Sequence, residues 1–481
     1  MINFEAQIFN GRAVLPEIAQ IIKRNFPFEP TPSQQKFFHL FQHFMQDQDK
    51  RPAMLLRGYA GTGKTTIVST LVKVLPLFNY KFILLAPTGR AAKVMSSYAK
   101  RRAFTIHKII IKTESDPEQG VFAFNRAENR QQKTVYIVDE ASMLSDDHEF
   151  GGKGVLASLI EYVFSQPENR LILIGDNAQL PPVRQAKSPG LEKIYLQSRF
   201  KLNVFETELT DVMRQDLQSG ILFNATQLRN LIPSKEWKIN LSTKDFKDVY
   251  RMTGEKMEDG LRYAYDKYGT ENTIIICRSN KQAVNYNRYI RQVVHFYENE
   301  LEAGDILMIV KNNYYFLGED SKANFLANGE MVEVMKIVRF EELYGKRFAT
   351  LHLRLIDFSE EPVFEAKVLL DTLYSNTASI SGEENRAFYQ EVMNDYLHLE
   401  SKKKIKEAMA NDPYLNALQV KFAYALTCHK AQGGQWSAVF VDQGYLTEEM
   451  VNQEYLRWLY TAITRATNEL FLVNFKATFF K

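Results

Sequence analysis

A glycine-rich loop that ends in lysine and threonine is the segment of this chain best suited to phosphate chemistry. It reads Gly58-Tyr-Ala-Gly-Thr-Gly63-Lys64-Thr65 and lies between an apolar run and a helix-like stretch. Its glycines let backbone N–H groups face phosphates, Lys64 can reach the β- and γ-phosphates, and Thr65 can ligate Mg²⁺. The spacing predicts a P-loop for ATP and Mg²⁺. The residues expected to hold the nucleotide are Gly58, Gly61, Thr62, Gly63, Lys64, Thr65 and Thr66.

Two adjacent carboxylates supply a second part of the expected site. Asp139 and Glu140 directly follow the apolar run of residues 135–138. In P-loop chemistry one such carboxylate holds the metal and the other activates the attacking water. A surface Asp-Glu pair after a core strand is the simpler alternative, but the P-loop upstream favours a metal-side Asp139 and a general base Glu140.

A polar loop after the next apolar run could complete the contacts to the γ-phosphate. It reads Gly175-Asp-Asn-Ala-Gln179-Leu-Pro-Pro. Ligands of open α/β sheets bind at the carboxyl ends of the strands, which is where this loop is expected. Turn chemistry alone would also explain its residues. Its place in the series favours Gln179 as a sensor of the γ-phosphate.

Apolar runs alternate with helix-like stretches over most of the chain, which predicts an α/β fold with parallel sheets. Four runs form a first set, at residues 53–56, 82–86, 135–138 and 171–174. Three more form a second set, at residues 273–277, 438–441 and 470–473. Two sets indicate two lobes with a cleft between them.

Two stretches interrupt this alternation. Residues 109–134 hold two apolar runs around a polar centre, which predicts a projecting β-hairpin. Residues 302–416 mix strand-like runs with a charged helical stretch, which indicates a small β-domain inserted into the second lobe. Within it, the lysine-rich residues 401–406 could contact phosphates, but such a run is more often a solvated helix face, which we favour.

The composition limits which class of protein this is, but it says little about the molecules that the protein binds. The formal charge is only +3 over 481 residues, so a nucleic-acid surface requires local clusters of Lys and Arg. Two cysteines fit a reducing compartment, and no apolar run is long enough to cross a membrane. We therefore expect a cytoplasmic protein without a membrane partner.

Taken in this order and spacing, the three site segments resemble superfamily 1 helicases, and further segments extend the resemblance. Thr31-Pro-Ser-Gln34 is similar to the adenine-reading segment, which implies that Gln34 binds the base. The segment around Arg214, at residues 209–215, resembles the motif that sends an arginine to the γ-phosphate. Residues 459–466, with Arg465, resemble the last motif, which supplies a second arginine. The implied catalytic residues are Lys64, Glu140, Gln179, Arg214 and Arg465.

Other segments resemble motifs with which the family grips a nucleic-acid strand. These are residues 86–92, residues 105–107 (Thr-Ile-His) and residues 423–434, with the central sequence Thr427-Cys-His429-Lys430. The Thr-Ile-His segment and the His429-Lys430 pair are most similar to the 1B branch, which includes RecD-like and Dda-like helicases. The implied strand contacts are Pro87, Thr88, Thr105, His107, Thr427, His429 and Lys430.

The resemblance implies two RecA-like lobes, a strand-separating hairpin and a barrel of the Src-homology-3 (SH3-like) type. We assign the first lobe to residues 1–107 and 134–190, with the hairpin at 108–133. The second lobe takes residues 191–302 and 416–481, with the barrel at 303–415. Residues 380–411 are longer and more helical than a barrel requires.

By implication the chain is an ATP-dependent DNA helicase that moves 5′ to 3′ on single-stranded DNA or on a duplex with a 5′ tail. A short segment ahead of the first motif favours a monomer, although RecD-like chains also serve in complexes for DNA repair and recombination. Two other classes stay open. A P-loop ATPase that switches protein partners would not need residues 427–430, and a strand-binding protein with a dead ATP site should have lost Lys64 or Glu140.

Overall fold

The computed structural model describes most of the chain. The described residues are 8–9, 12–13, 18–49, 51–116, 121–146, 154–212, 218–234, 236–317, 325–358, 361–377 and 380–480, with the backbone alone described at 8–9, 12–13, 112–116 and 121–126. None of the helices in these ranges is long and apolar enough to cross a membrane.

The described part of the chain contains strands and helices in both lobes and in the insertion. The strands are β1 (Ile8–Phe9), β2 (Arg12–Ala13), β3 (Pro52–Gly58), β4 (Lys81–Ala86), β5 (Ala103–Thr105), β6 (Ile111–Asp116), β7 (Val121–Arg126), β8 (Thr134–Val138), β9 (Arg170–Gly175), β10 (Asn203–Leu209), β11 (Val249–Met252), β12 (Thr273–Cys277), β13 (Ile306–Ile309), β14 (Met331–Leu343), β15 (Lys346–Leu355), β16 (Phe364–Leu369), β17 (Leu418–Phe422), β18 (Ala425–Thr427), β19 (Trp436–Asp442) and β20 (Ala466–Val473). The helices are α1 (Ile18–Asn25), α2 (Pro32–Gln46), α3 (Lys64–Val74), α4 (Gly89–Ala99), α5 (Ile106–Ile110), α6 (Val155–Val163), α7 (Lys193–Phe200), α8 (Gly220–Leu231), α9 (Met257–Tyr268), α10 (Asn280–Tyr289), α11 (Gly382–Asp395), α12 (Lys402–Ala410), α13 (Cys428–Ala431) and α14 (Gln453–Ile463).

The first lobe is built on a parallel sheet with the order β10-β3-β9-β8-β4-β5. Strands β8 and β9 are buried along their whole length, because separate apolar clusters cover the two faces of the sheet. A strand buried on both faces reads as a continuous apolar run, which is why the first set of runs predicted this sheet.

One boundary of the first lobe was predicted wrongly. The assignment of residues 191–302 to the second lobe places β10 there, but β10 pairs with β3 along seven residues. This strand is an edge strand whose side chains alternate between buried and half-buried positions. It therefore lacks the continuous apolar run that marks the central strands.

The second lobe has a parallel sheet with the order β11-β20-β19-β12-β18. Its inserted domain is a closed barrel of five strands, β13 to β17. These observations confirm the predicted α/β fold with two lobes and an inserted barrel. Strand β17 belongs to the barrel, so the predicted return to the second lobe at residue 416 comes too early.

The hairpin and the helical segment of the insertion are both present. Strands β6 and β7 pair antiparallel within the range predicted for the hairpin. Helices α11 and α12 occupy the charged stretch of the barrel insertion. Phe388 and Val392 of α11 pack on Phe348 and Leu369 of the barrel, which fixes this helix to the barrel wall.

A buried ion pair joins the second lobe to the barrel. Arg291, in the π-helical turn Ile290–Val294, donates from Nε and Nη2 to the two carboxylate oxygens of Asp305 at 2.8 and 2.9 Å. The hydroxyl of Tyr424 donates to the same carboxylate. Both charged side chains are at least 98% buried, so each one depends on the other for charge compensation.

Asp305→Ala is expected to destabilise the second lobe and its barrel by about 3–5 kcal/mol, because it leaves the Arg291 guanidinium buried without a counter-charge. The matched control is Glu258→Ala, which breaks the half-exposed pair Glu258–Arg262 and should cost only about 0.5 kcal/mol. Chemical denaturation followed by circular dichroism measures both. Equal losses of unfolding free energy in the two variants would contradict the role given to the buried pair Arg291–Asp305.

Candidate nucleotide site and strand-contact segments

The P-loop connects strand β3 to helix α3. Gly61 and Gly63 adopt φ values of 75° and 85°, a left-handed conformation that glycine adopts without strain. Helix α3 begins at Lys64, so its first N–H groups face the loop. The Lys64 ammonium donates to the carbonyl oxygens of Gly58 and Tyr59 at 2.7 and 2.9 Å. The lysine therefore lies over the loop, where phosphates would compete for it.

A cavity of about 530 Å³ lies between the P-loop and the second lobe. The first lobe contributes Gly61, Gly63, Lys64, Thr65, Thr66, Asp139, Glu140, Asp176 and Gln179 to its wall. The second lobe contributes Thr464, Arg465 and Thr467, among others. The structure thus brings most of the predicted nucleotide residues to one cavity, and it places Arg465 opposite the P-loop.

The paired carboxylates lie at the carboxyl end of β8. Asp139 accepts hydrogen bonds from the Tyr98 hydroxyl at 2.6 Å and from the Glu140 N–H at 2.8 Å. Burial raises the pKa of Glu140, while the nearby Arg465 guanidinium opposes this shift. An oxygen of Glu140 lies 3.6 Å from Arg465 Nη1. The geometry suits a proton acceptor that is held by the opposite lobe.

The loop after β9 turns two polar side chains toward the same cavity. Gln179 is buried, and its Oε1 has no hydrogen-bond partner among the described residues. A buried carbonyl oxygen of this kind usually has a partner, so a ligand or its water would complete the site. Asp176 accepts from the Ala178 N–H at 2.8 Å, and burial raises the pKa of its carboxyl.

The oxygen donors near the P-loop fit the predicted metal. The hydroxyl of exposed Thr65 and the carboxylate of Asp139 both line the cavity. Hydroxyl and carboxylate oxygens are the ligands that Mg²⁺ prefers. These two side chains therefore fit a bound Mg²⁺, and their role as its ligands stays a prediction.

Arg465 is the second lobe's arginine in this site. It is buried at the end of α14, and its guanidinium donates to the carbonyl oxygens of Thr461 and Gly434. These bonds hold the planar group in one orientation toward Glu140. The other predicted arginine, Arg214, lies outside the described residues.

A tyrosine of α14 makes a further link between the lobes. The Tyr460 hydroxyl donates to Asp176 Oδ2 at 2.5 Å and accepts from the Ala60 N–H of the P-loop at 2.9 Å. One residue later, Thr461 Oγ1 accepts from the Leu180 N–H at 2.9 Å. The helix that carries Arg465 is thereby held against the P-loop and the loop after β9.

Tyr460→Phe is expected to lower the kcat of ATP hydrolysis about tenfold, because it removes the hydroxyl that bonds to Asp176 Oδ2 and to the Ala60 N–H. Tyr455→Phe is the matched control, since Tyr455 lies on the same helix and its buried hydroxyl has no partner among the described residues. Steady-state kinetics at saturating ATP measures the effect. A similar loss in both variants would show that Tyr460 acts through packing alone.

Gln34 takes a position different from the one that the resemblance implies. Its side chain is completely buried, with Oε1 accepting from the Thr31 N–H at 2.9 Å and Nε2 donating to the Thr62 carbonyl at 3.1 Å. It does not line the described cavity. In this structure Gln34 caps α2 and supports the P-loop, whereas Phe28 and Tyr59 do line the cavity.

In the first lobe, the predicted strand-contact segments directly follow strands β4 and β5 of the sheet. Pro87 precedes Thr88, whose hydroxyl accepts from the Ala91 N–H at 3.2 Å and caps α4. Thr105 caps α5 by accepting from the Lys108 N–H, and burial lowers the pKa of His107 to about 4. At neutral pH His107 is therefore a neutral hydrogen-bonding group.

The corresponding segment of the second lobe lies on edge strand β18 and the short helix α13. Thr427, His429 and Lys430 are all half-buried there. Burial lowers the pKa of His429 and lowers that of Lys430 to about 8. The predicted strand contacts thus follow β4 and β5 in the first lobe and lie on β18 and α13 in the second.

Comparisons with known proteins agree with this architecture. Residues 33–231 match the AAA domain family, and residues 422–473 match the UvrD-like helicase C-terminal domain family. An uncharacterized protein of Acanthamoeba polyphaga mimivirus is 23% identical, with 88% of this chain and 96% of that protein covered. The ATP-dependent DNA helicase dda of Enterobacteria phage T4 is 26% identical, with 60% of this chain and 64% of dda covered.

A further match extends the comparison to a bacterial protein. The ATP-dependent RecD2 DNA helicase of Deinococcus radiodurans is 24% identical, with 87% of this chain covered. The chain spans 64% of the length of dda and 46% of the length of RecD2. The two matched families, these helicase relatives and a nucleotide site between two lobes together support a superfamily 1B helicase.

Proposed function

We propose that this chain is an ATP-driven motor that moves 5′ to 3′ along single-stranded DNA and unwinds duplex ahead of it. The observation that carries the proposal is the composite site, in which Lys64, Glu140 and Gln179 of one lobe face Arg465 of the other. The 1B assignment supports the direction. The names of dda and RecD2 support DNA as the substrate.

Each predicted catalytic side chain of the cavity would have its own task in hydrolysis. Lys64 would leave the P-loop carbonyls and bind the β- and γ-phosphates, Glu140 would accept a proton from the attacking water, and Gln179 would orient it. Mg²⁺ held by Thr65 and Asp139 would neutralise charge on the phosphate oxygens. Arg465 would stabilise the charge that develops as the phosphoryl group is transferred.

Each lobe contributes to the nucleotide site and also carries strand-contact segments. This arrangement would link ATP hydrolysis to movement along the strand. Groups of both lobes meet at the nucleotide, so binding and hydrolysis would close and reopen the cleft. Thr88 and His107 on one lobe, and Thr427 and Lys430 on the other, would hold the strand alternately. Contacts of this kind favour the phosphate backbone, so binding should depend on salt and little on sequence.

The decisive test is steady-state ATP hydrolysis with and without single-stranded DNA, for the wild type and Lys64→Ala. Strong stimulation that disappears in the variant would support the motor, and unwinding of 5′- and 3′-tailed duplexes would then give the direction. Hydrolysis that is indifferent to DNA would reject the motor and favour a P-loop switch acting on proteins. Unwinding of 3′-tailed duplexes alone would reject only the proposed direction.

A further inference from the structure

Helix α12 carries an unusual concentration of positive charge. Lys402, Lys403, Lys404 and Lys406 are all exposed. None of the four forms an ion pair with a residue of the described ranges. The apolar side of the helix is used for packing, since Met409 is buried. These lysines are therefore exposed, with no ion-pair partner in the part of the chain that the structure describes.

The charges stand at the end of the helix where they are least favourable. A helix N-terminus carries a partial positive charge and is stabilised by acidic side chains. Neighbouring α11 follows this rule, with Glu383 and Glu384 in its first turn and a capping box at Ser381. Helix α12 has no acidic residue in its first turn, where three lysines stand instead. The stability of the helix does not explain why three lysines stand in its first turn. A bound anionic ligand would neutralise their charge.

The position of α12 in the fold indicates which kind of anionic ligand its lysines would bind. Its C-terminal end is tied to the barrel, because Tyr315 Oη donates to the Asn411 carbonyl at 2.9 Å and Asn416 Nδ2 donates to the Ala410 carbonyl at 2.8 Å. Backbone atoms of α12 lie within 8 Å of β7 in the hairpin of the first lobe. The helix therefore lies next to both the barrel and the hairpin.

We infer that the basic N-terminal part of α12 binds the phosphate backbone of double-stranded DNA beside the hairpin. The inference rests on the proposed function, in which both lobes grip the single strand, and on the expectation from the resemblance that the hairpin separates the duplex. Duplex DNA carries about one negative charge per 1.7 Å of its axis, so closely spaced lysines can each meet a phosphate. The sequence alone favoured a solvated helix face for this run. Its unfavourable charges and its place beside β7 argue for the DNA-binding alternative.

The test uses fluorescence anisotropy to compare the affinity of the full chain for a 5′-tailed duplex with its affinity for the tail alone. In the variant Lys402→Gln/Lys403→Gln/Lys404→Gln/Lys406→Gln, the preference for the tailed duplex should fall at least tenfold. The slope of its log affinity against log salt should fall by about one for each lysine that binds a phosphate in the wild type. Replacing the same four lysines by arginine should preserve the preference.

A matched control removes four exposed lysines elsewhere, at Lys201, Lys238, Lys244 and Lys247, which changes the net charge equally. An unchanged preference in the α12 variant would overturn the inference. So would an equal drop in preference in the control, or a drop in affinity that is as large for the tail as for the duplex. Lack of stimulation of wild-type hydrolysis by the tail would instead reject the motor itself, so the two failures can be distinguished.

Discussion

Replacing Glu140 by glutamine should lower the kcat of ATP hydrolysis at least about a hundredfold, with ATP binding retained. The amide keeps the size and polarity of the carboxylate, but it cannot accept the proton of the attacking water. The side chain lines the cavity together with Lys64 and Gln179, where an attacking water would be placed. Single-turnover hydrolysis and binding of a fluorescent ATP analogue measure the two effects separately.

The pH dependence of ATP hydrolysis is a second test of the role of Glu140. Glu140 must be deprotonated to act, so hydrolysis declines as the pH falls through its pKa. Burial raises the pKa of Glu140, and the acidic limb of the kcat profile should therefore lie above the value of about 4.3 for an ordinary glutamate. Glu140→Gln should abolish this limb. The control Glu192→Gln, on a surface ion pair with Lys187, should keep the wild-type profile. Wild-type rates in Glu140→Gln would require another base.

Elements with strong local patterns were predictable from the sequence, and edge strands were not. The central strands β8 and β9 read as continuous apolar runs because both of their faces are covered. Strand β10 has the sequence Asn-Val-Phe-Glu-Thr-Glu-Leu, which is mostly polar because one side of this edge strand is open. Its place beside β3 depends on pairing across about 150 residues of chain, which local periodicity does not encode.

The candidate site shows the same division between local and distant information. The P-loop and the carboxylate pair could be predicted because each motif sits within a few consecutive residues. Tyr98 gave no such signal, since its contact with Asp139 joins two elements 41 residues apart. Tyr460 lies within a motif that was recognised, but its bond to Asp176 exists only through the packing of the two lobes. Gln34 was assigned to the base, yet the geometry of the α2 cap and the P-loop carbonyl holds its amide elsewhere.

Arg465→Ala should reduce hydrolysis by about a thousandfold or more, the effect expected on removal of an arginine that neutralises transition-state charge. Arg465 is the described arginine that the second lobe places on the cavity wall, and its bonds to Thr461 and Gly434 fix its direction. Arg465→Lys keeps the charge without the planar fork, so it should recover only part of the rate. Stopped-flow phosphate release under single-turnover conditions measures the chemical step.

The control for this variant is Arg457→Ala, on the same helix. Arg457 also reaches across the lobes, to the Ala186 carbonyl at 3.3 Å, but it does not line the cavity. If Arg465 acts on the nucleotide, its removal should be far more severe than that of Arg457. Since the Arg465 guanidinium opposes the rise in the pKa of Glu140, Arg465→Ala should also move the acidic limb of the residual activity to higher pH. Equal effects of the two variants, with no shift of that limb, would mean that Arg465 only holds the lobes together.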